Sequence, residues 1–121
     1  MSATLEIPTR KIEKIGRYDV RDYREDSHSH CTVISLAEIF EEINGKINSV
    51  AHKYGGTVFS GIVQPNRTMW INPVYQLLDT AVYCRERTGV VNQTIGTELS
   101  IHNKDVEKRN ATIKLLDEIL Q

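Results

Sequence analysis

The sequence is poor in cysteine and has no long apolar run, and these two shortages exclude several classes of protein. Its 121 residues include only two cysteines, Cys31 and Cys84, whereas a secreted domain of this size usually carries more of them as disulfides. The first residues do not show the apolar centre of a secretory signal, and no apolar run approaches the length of a membrane span. We therefore expect a cytoplasmic protein that makes no contact with a membrane.

The sequence also lacks an excess of charge of either sign. It has 15 Lys and Arg residues against 16 Asp and Glu residues, a net charge of −1, so no overall field attracts the chain to nucleic acid. Local clustering does not replace that field, because the arginines of the stretch 17–26 alternate with aspartate and glutamate. This pattern is typical of a solvated strand edge and argues against a nucleic-acid partner.

Motifs that mark cofactor binding or nucleophilic catalysis are missing as well. The chain has no phosphate-binding P-loop, no glycine-rich dinucleotide fingerprint and no nucleophile elbow. Cysteine and histidine spacings typical of zinc sites are also missing. We expect no cofactor, and these observations together favour a non-enzymatic protein.

What the chain does contain is the composition of an ordinary globular domain. Hydrophobic residues make up 40% of the sequence and charged residues 26%, proportions that support a packed core. The length fits one domain. We therefore predict a single domain over residues 1–121, with no internal linker.

The clearest predicted element is a helix over 36–54. Its apolar residues recur at alternating spacings of three and four, which places them on one face. Ser35 and Glu38 have the spacing of a capping box, which predicts the helix start. Gly45, in the middle, is unfavourable for a helix, and a close approach of another backbone segment would explain its presence.

Alternation and turn residues predict the remaining elements. Strands are expected at 16–23, 30–34, 57–64, 68–71 and 91–102, and further helices at 73–88 and 104–120. The segment 73–88 is predicted to be helical because Asn72 and Pro73 resemble a helix start and apolar residues follow at helical spacing. This order predicts the α+β class: an antiparallel sheet with three helices, in which a ferredoxin-like βαββαβ core is extended by an N-terminal strand and a C-terminal helix.

The strongest candidate for a binding site is a group of cations at the start of the last predicted helix. Lys104, Lys108 and Arg109 lie where the helix dipole disfavours positive charge, and a helix N-terminus with added cations can bind an anion. A solvated charged face is the alternative interpretation. Arginine, aromatic and polar side chains from the predicted hairpin, second helix and last strand would complete the site: Arg67, Trp70, Tyr83, Arg85 and Asn92.

These residues lead to our first functional hypothesis. The protein would bind a small anionic or nucleotide-like molecule, without catalysis, in a regulatory or sequestering role. It would act as a homo-oligomer, with Arg109 as the charge partner of the ligand and Trp70 or Tyr83 as a stacking surface.

Two other hypotheses stay open. The regular apolar seam of the first predicted helix suits a protein-interaction module, such as an inhibitor or an assembly adaptor. The third hypothesis is a small metal- or Cys/His-dependent enzyme, because His28 and His30 would share one face of a strand and could hold a metal, with Cys31 or Cys84 as a nucleophile. The simpler interpretation of this segment is a polar loop that enters a strand, with the Cys31 thiol buried.

Overall fold

One antiparallel sheet and two α-helices make up the part of the chain that the computed structural model describes, residues 12–59, 73–89, 91 and 94–121. The elements are β1 (Lys14–Ile15), β2 (Tyr18–Asp26), β3 (Cys31–Leu36), α1 (Phe40–Val50), β4 (Gly55–Phe59), β5 (Val74–Leu77), β6 (Thr80–Thr88), β7 (Thr94–His102) and α2 (Val106–Ile119). A short 3₁₀ turn, Ala51–Lys53, follows α1. Within these ranges, no helix is long and apolar enough to cross a membrane.

The described strands join in the order β1-β2-β3-β7-β6-β5-β4. Strand β3 pairs with β2 on one side and with β7 on the other, so it connects the N-terminal strands to the C-terminal half of the sheet. Its three consecutive β-branched residues, Thr32, Val33 and Ile34, favour an extended backbone. Every residue of β3 is buried, as the centre of a sheet requires.

Both helices pack on the same face of this sheet, which we term the helix face. Helix α1 buries Ile43 and Ile47, and α2 buries Ile113 and Leu116, in one shared core. Alternate residues of the central strands lie on this face: Thr32, Ile34 and Leu36 of β3, Thr97, Leu99 and Ile101 of β7, and Val82 and Cys84 of β6. The intervening residues lie on the opposite face, which we term the outer face.

The predicted helix over 73–88 is wrong, because this segment is the β5–β6 hairpin. Buried residues alternate along both strands: Tyr75 and Leu77 in β5, then Thr80, Val82 and Cys84 in β6. The turn residues Leu78 and Asp79 both have positive φ, 51° and 62°, the conformation of a tight hairpin turn. Neither is glycine or asparagine, so the turn lacks its usual sequence signal, and the apolar spacing imitates a helix.

The ferredoxin-like core with three helices is therefore wrong as well. The described chain has two α-helices, and β4, β5, β6 and β7 follow one another as antiparallel neighbours. Antiparallel neighbours do not require a crossover helix between them. The strand predicted at 68–71 lies outside the described residues, and the strand predicted at 57–64 is described only as far as Phe59.

The starts of both helices also differ from the predicted ones. Ser35 belongs to β3, α1 begins at Phe40, and the residue in the cap position, Ile39, makes no side-chain cap bond, so the predicted capping box is wrong. In α2 the cap is Asp105, whose carboxylate accepts a hydrogen bond from the Glu107 amide at 2.9 Å. The predictions of β2, β3 and β7 as strands are confirmed.

Replacement of glycine by alanine should have opposite effects on stability at positions 45 and 16. Gly45 is exposed in the middle of α1, and a Cβ placed there would meet no described atom within 4 Å. Gly45→Ala should therefore raise the free energy of unfolding by about 1 kcal/mol, because alanine is the better helix former. Gly16 has a φ of +61°, and its Cβ would lie 2.6 Å from the Leu120 carbonyl carbon, so Gly16→Ala should lower that free energy by more than about 1 kcal/mol.

Urea denaturation of the two single variants measures both effects. A loss of stability in Gly45→Ala would show that another segment does approach α1 closely. An unchanged stability in Gly16→Ala would show that the β1–β2 turn does not lie against the end of α2.

Candidate functional site

Arg109, the predicted charge partner of a ligand, is buried between α2 and the sheet. It is 1% exposed, and its guanidinium donates to Glu25 Oε1 at 2.5 Å and to the Asn103 carbonyl at 2.6 Å. Glu25 is held in turn by the hydroxyls of Tyr23 and Thr32, which donate to its Oε2 at 3.0 and 2.8 Å. Because the guanidinium already has an acidic partner in the interior, Arg109 is not available to an anion from solution.

The two lysines predicted beside Arg109 do not converge on a shared site. Lys108 forms an exposed ion pair with Asp79 at 2.9 Å, and their hydrogen bond lowers the pKa of the Asp79 carboxyl and raises the pKa of the lysine. Lys104 is exposed ahead of the helix, and the Asp105 carboxylate occupies the cap position next to it. Lys108 and Arg109 thus have different acidic partners, and the start of α2 carries its own acids.

Of the other predicted ligand residues, two lie within the described ranges and three lie outside them. Tyr83 and Arg85 lie on the outer face of β6, where Tyr83 is 40% exposed and Arg85 Nε donates to Glu98 Oε1 at 2.6 Å. Three predicted residues lie outside the described ranges: Arg67, Trp70 and Asn92. The sheet therefore separates Tyr83 and Arg85 from Arg109, which lies on the helix face.

The histidines considered for a metal lie in the turn between β2 and β3. His28 and His30 are exposed, and the Asp26 carboxylate accepts hydrogen bonds from the amides of His28 and Ser29 at 2.9 and 3.1 Å. Within the described ranges, no group of three or more His, Cys, Asp or Glu side chains is arranged to hold a metal ion. Metal binding at His28 and His30 thus stays a prediction without a described ligand set.

The outer face brings together a group of side chains that no local sequence motif predicts. Ser100 Oγ lies 2.8 Å from His102 Nε2 and 3.3 Å from Cys31 Sγ. Ser100 and His102 are two residues apart on β7, so the strand period places them on one face, and Cys31 is the register partner of His102 on β3. The Tyr83 ring packs edge-on against the imidazole, with ring centroids 4.9 Å apart. We term these four side chains the outer-face cluster.

The surroundings of the outer-face cluster favour a neutral histidine. Burial, aided by the positive charge of Arg109, lowers the pKa of His102 from its ordinary value of 6.5, so the neutral imidazole predominates at neutral pH. On the helix face, burial raises the pKa of the Cys84 thiol to about 12. Because a thiolate is the reactive form of cysteine, Cys84 is a core side chain and not the nucleophile considered from the sequence.

A groove runs between β1 and α2, next to the start of β1. Its volume of about 480 Å³ lies within the range of small-molecule sites. The lining comes from both elements: Ile12, Lys14 and Ile15 on one side, and Asn110, Ala111, Ile113, Lys114 and Asp117 on the other. Residues spaced by three and four along α2 share one face of the helix, which explains why Asn110, Lys114 and Asp117 line the same groove.

Two lysines and one carboxylate determine the charge of the groove. Lys14 forms an ion pair with Asp19 at 3.3 Å, and such an exposed pair is weak in water. The Asp117 carboxylate accepts a hydrogen bond from the Gly16 amide at 2.5 Å, which directs it towards the β1–β2 turn. Lys114 is exposed and forms no hydrogen bond or ion pair with a described residue. The groove therefore combines apolar walls with the ammonium group of Lys114, which forms no ion pair with a described acid.

Removal of one partner of the buried pair of Arg109 and Glu25 should cause a large loss of stability. Arg109→Met leaves the Glu25 carboxylate inside without its cation, and we expect the free energy of unfolding to fall by about 3–5 kcal/mol. The double variant with Glu25→Gln should recover much of that loss, because no charge then stays unpaired in the interior. Lys108→Met is the matched control, since breaking an exposed pair that solvent screens should change the stability far less.

Chemical denaturation of the three variants measures these differences. A double variant that is no more stable than Arg109→Met would contradict the inference that the unpaired charge causes the loss.

The titration of His102 should make the free energy of unfolding depend on pH near neutrality. Its pKa is lower in the folded chain than the ordinary value of 6.5, so the unfolded chain binds more protons between these two values. The contribution of His102 to stability is therefore complete above pH 6.5 and is lost as the pH falls through the lowered folded pKa. An NMR titration of the imidazole gives the folded pKa directly, and His102→Gln should reduce the slope of stability against pH. A folded pKa at or above 6.5 would contradict this prediction.

Comparison of the chain with protein-family models, with curated proteins and with solved structures gave no match. In the described part of the chain, two places bring polar side chains together: the groove between β1 and α2, and the outer-face cluster.

Proposed function

We propose that the protein binds a small amphipathic carboxylate in the groove between β1 and α2, without catalysis, in a regulatory or sequestering role. The observation that carries this proposal is Lys114, an exposed ammonium group beside apolar walls and without an acidic partner in the described part of the chain. The proposed ligand is anionic, as predicted from the sequence, but it would bind in the groove and not at the start of α2.

The apolar walls favour a ligand with an apolar body. Ile12, Ala111 and Ile113 present aliphatic groups to the groove, and each CH₂ group that a ligand buries there contributes about 0.8 kcal/mol to binding. The volume of about 480 Å³ suits a molecule of the size of a small aromatic or aliphatic acid.

The polar lining favours a single carboxylate on that ligand. Lys114 and Lys14 supply ammonium donors and Asn110 supplies an amide donor, and hydrogen bonds from an ammonium group to a carboxylate are stronger than neutral ones. The Asp117 carboxylate lies in the same lining, so a ligand with several negative charges would be repelled. A monocarboxylate matches this set of groups best.

The same lining supports a carboxylate over a nucleotide. The described residues of the groove include no aromatic side chain, so a nucleobase would find no ring on which to stack. Tyr83, the described member of the predicted stacking pair, lies on the outer face of the sheet, whereas α2 packs on the helix face.

The cytoplasmic location and the self-association predicted from the sequence are part of the proposal. Cys31 and Cys84 are free and lie on opposite faces of the sheet, so the described fold does not depend on a disulfide between them, as is usual for proteins of a reducing compartment. Val58 is 63% exposed on β4, at one edge of the described sheet, and sheet edges readily pair with another chain. This edge supports a homo-oligomer.

Calorimetric titration with benzoate tests the binding proposal. We expect benzoate to bind, benzamide to bind more weakly because it lacks the charge, and added salt to weaken benzoate binding. Lys114→Ala should weaken benzoate binding about tenfold, as expected for the loss of one charge-assisted hydrogen bond. Ala111→Trp should block the groove. Lys53→Ala, an exposed lysine in the 3₁₀ turn far along the chain from the groove, is the control and should leave binding unchanged.

Three results would contradict the proposal. The first is equal binding of benzoate to the unmodified chain and to Lys114→Ala. The second is a loss of benzoate binding in Lys104→Ala alone, which would return the site to the start of α2. The third is tighter binding of adenosine monophosphate than of benzoate, which would favour the nucleotide-like ligand predicted from the sequence.

A further inference from the structure

Ser100 on the outer face lies between a thiol and an imidazole, and this position gives its hydroxyl a proton acceptor. We propose that Ser100 is a nucleophile that takes an acyl group from an activated ester, with His102 as the general base. The distance of 2.8 Å between Ser100 Oγ and His102 Nε2 allows direct proton transfer. This activity goes beyond the binding function proposed above and uses a different face of the sheet.

Contacts around the pair are compatible with a hydrogen bond that Ser100 donates to His102. Cys31 Sγ lies 3.3 Å from Ser100 Oγ, and when this thiol donates to the serine oxygen, the serine proton is directed to His102 Nε2. The imidazole then carries its own hydrogen on Nδ1. The edge-on contact with Tyr83 holds the ring in this orientation, and the lowered pKa of His102 keeps Nε2 free to accept a proton at neutral pH.

The proposed reaction is an acyl transfer followed by hydrolysis. Ser100 Oγ forms a bond to the ester carbonyl carbon while its proton passes to His102 Nε2. The tetrahedral intermediate collapses, the bond to the leaving oxygen breaks, and the leaving alcohol or phenol takes the proton from His102. Water then attacks the acyl-serine with His102 as the base, which releases the carboxylic acid and restores both side chains.

The sheet surroundings restrict this chemistry to reactive esters. The backbone amides of β7 pair with β3 on one side and with β6 on the other, so these strands offer no pair of free amides to stabilise an oxyanion. A leaving group of low pKa reduces the need for such stabilisation. We therefore infer that the substrates are aryl esters of short carboxylic acids, and that the acyl-serine accumulates because its hydrolysis lacks this help.

Reaction of the full chain with p-nitrophenyl acetate tests the proposal. Absorbance follows the release of nitrophenolate, and mass spectrometry of peptides locates the acetyl group. We expect a burst approaching one equivalent and acetylation of Ser100. Ser100→Ala should lose the burst, and His102→Gln should slow it by about 100-fold. Ser49→Ala and His52→Gln, at exposed positions in and after α1, should leave it unchanged.

Mapping the acetyl group on the unmodified chain keeps the test decisive even when a variant fails to fold. Acetylation of Cys31 or of lysines in place of Ser100 overturns the proposal, and so does equal labelling of Ser100 in the urea-unfolded chain. Nitrogen NMR shifts that place the imidazole hydrogen of His102 on Nε2 at neutral pH also overturn it. Benzoate titration and acetyl mapping report on separate faces of the sheet, so failure of one proposal is distinguishable from failure of the other.

Discussion

The buried ion pair between Arg109 and Glu25 determines where α2 can lie. A guanidinium that is 1% exposed must keep an acidic partner, because an unpaired charge in the interior is costly. Glu25 belongs to β2, so the pair fastens the last helix of the chain to the N-terminal strands. With α2 held there, Asp117 reaches the Gly16 amide of the β1–β2 turn, and the groove between β1 and α2 follows from that position.

The strand order that allows this ion pair also assembles the outer face. Strand β3 lies between β2, which carries Glu25, and β7, which leads into α2. That placement makes Cys31 the register partner of His102, and β6 adds Tyr83 from the other side of β7. The outer-face cluster therefore depends on long-range pairing and not on a local motif, since its members come from three strands.

The difference between local motifs and long-range strand pairing explains how much of the fold and of the site could be predicted from the sequence. The strand predicted over 91–102 is confirmed as β7 over the described residues 94–102, and the helix predicted over 104–120 is confirmed as α2, which begins two residues later than predicted. Tyr75 and Cys84 show what local patterns miss, because the turn between their strands adopts positive φ at Leu78 and Asp79 without glycine. The meeting of Cys31 with Ser100 requires the strand register, which no local spacing encodes.

The position of a cation along α2 decides whether it stays available to a ligand. Near the first turn the helix dipole disfavours positive charge, so a cation there is more stable with an acid beside it, and the fold supplies Glu25 for Arg109 and Asp79 for Lys108. Lys114 lies further along, where the dipole has little effect, so it needs no such partner. An unusual cluster of cations at a helix start is therefore a sign of structural ion pairs in this chain. The cation that we propose as the anion partner is the lysine in the middle of the helix, because it lies beside apolar walls and forms no ion pair with a described acid.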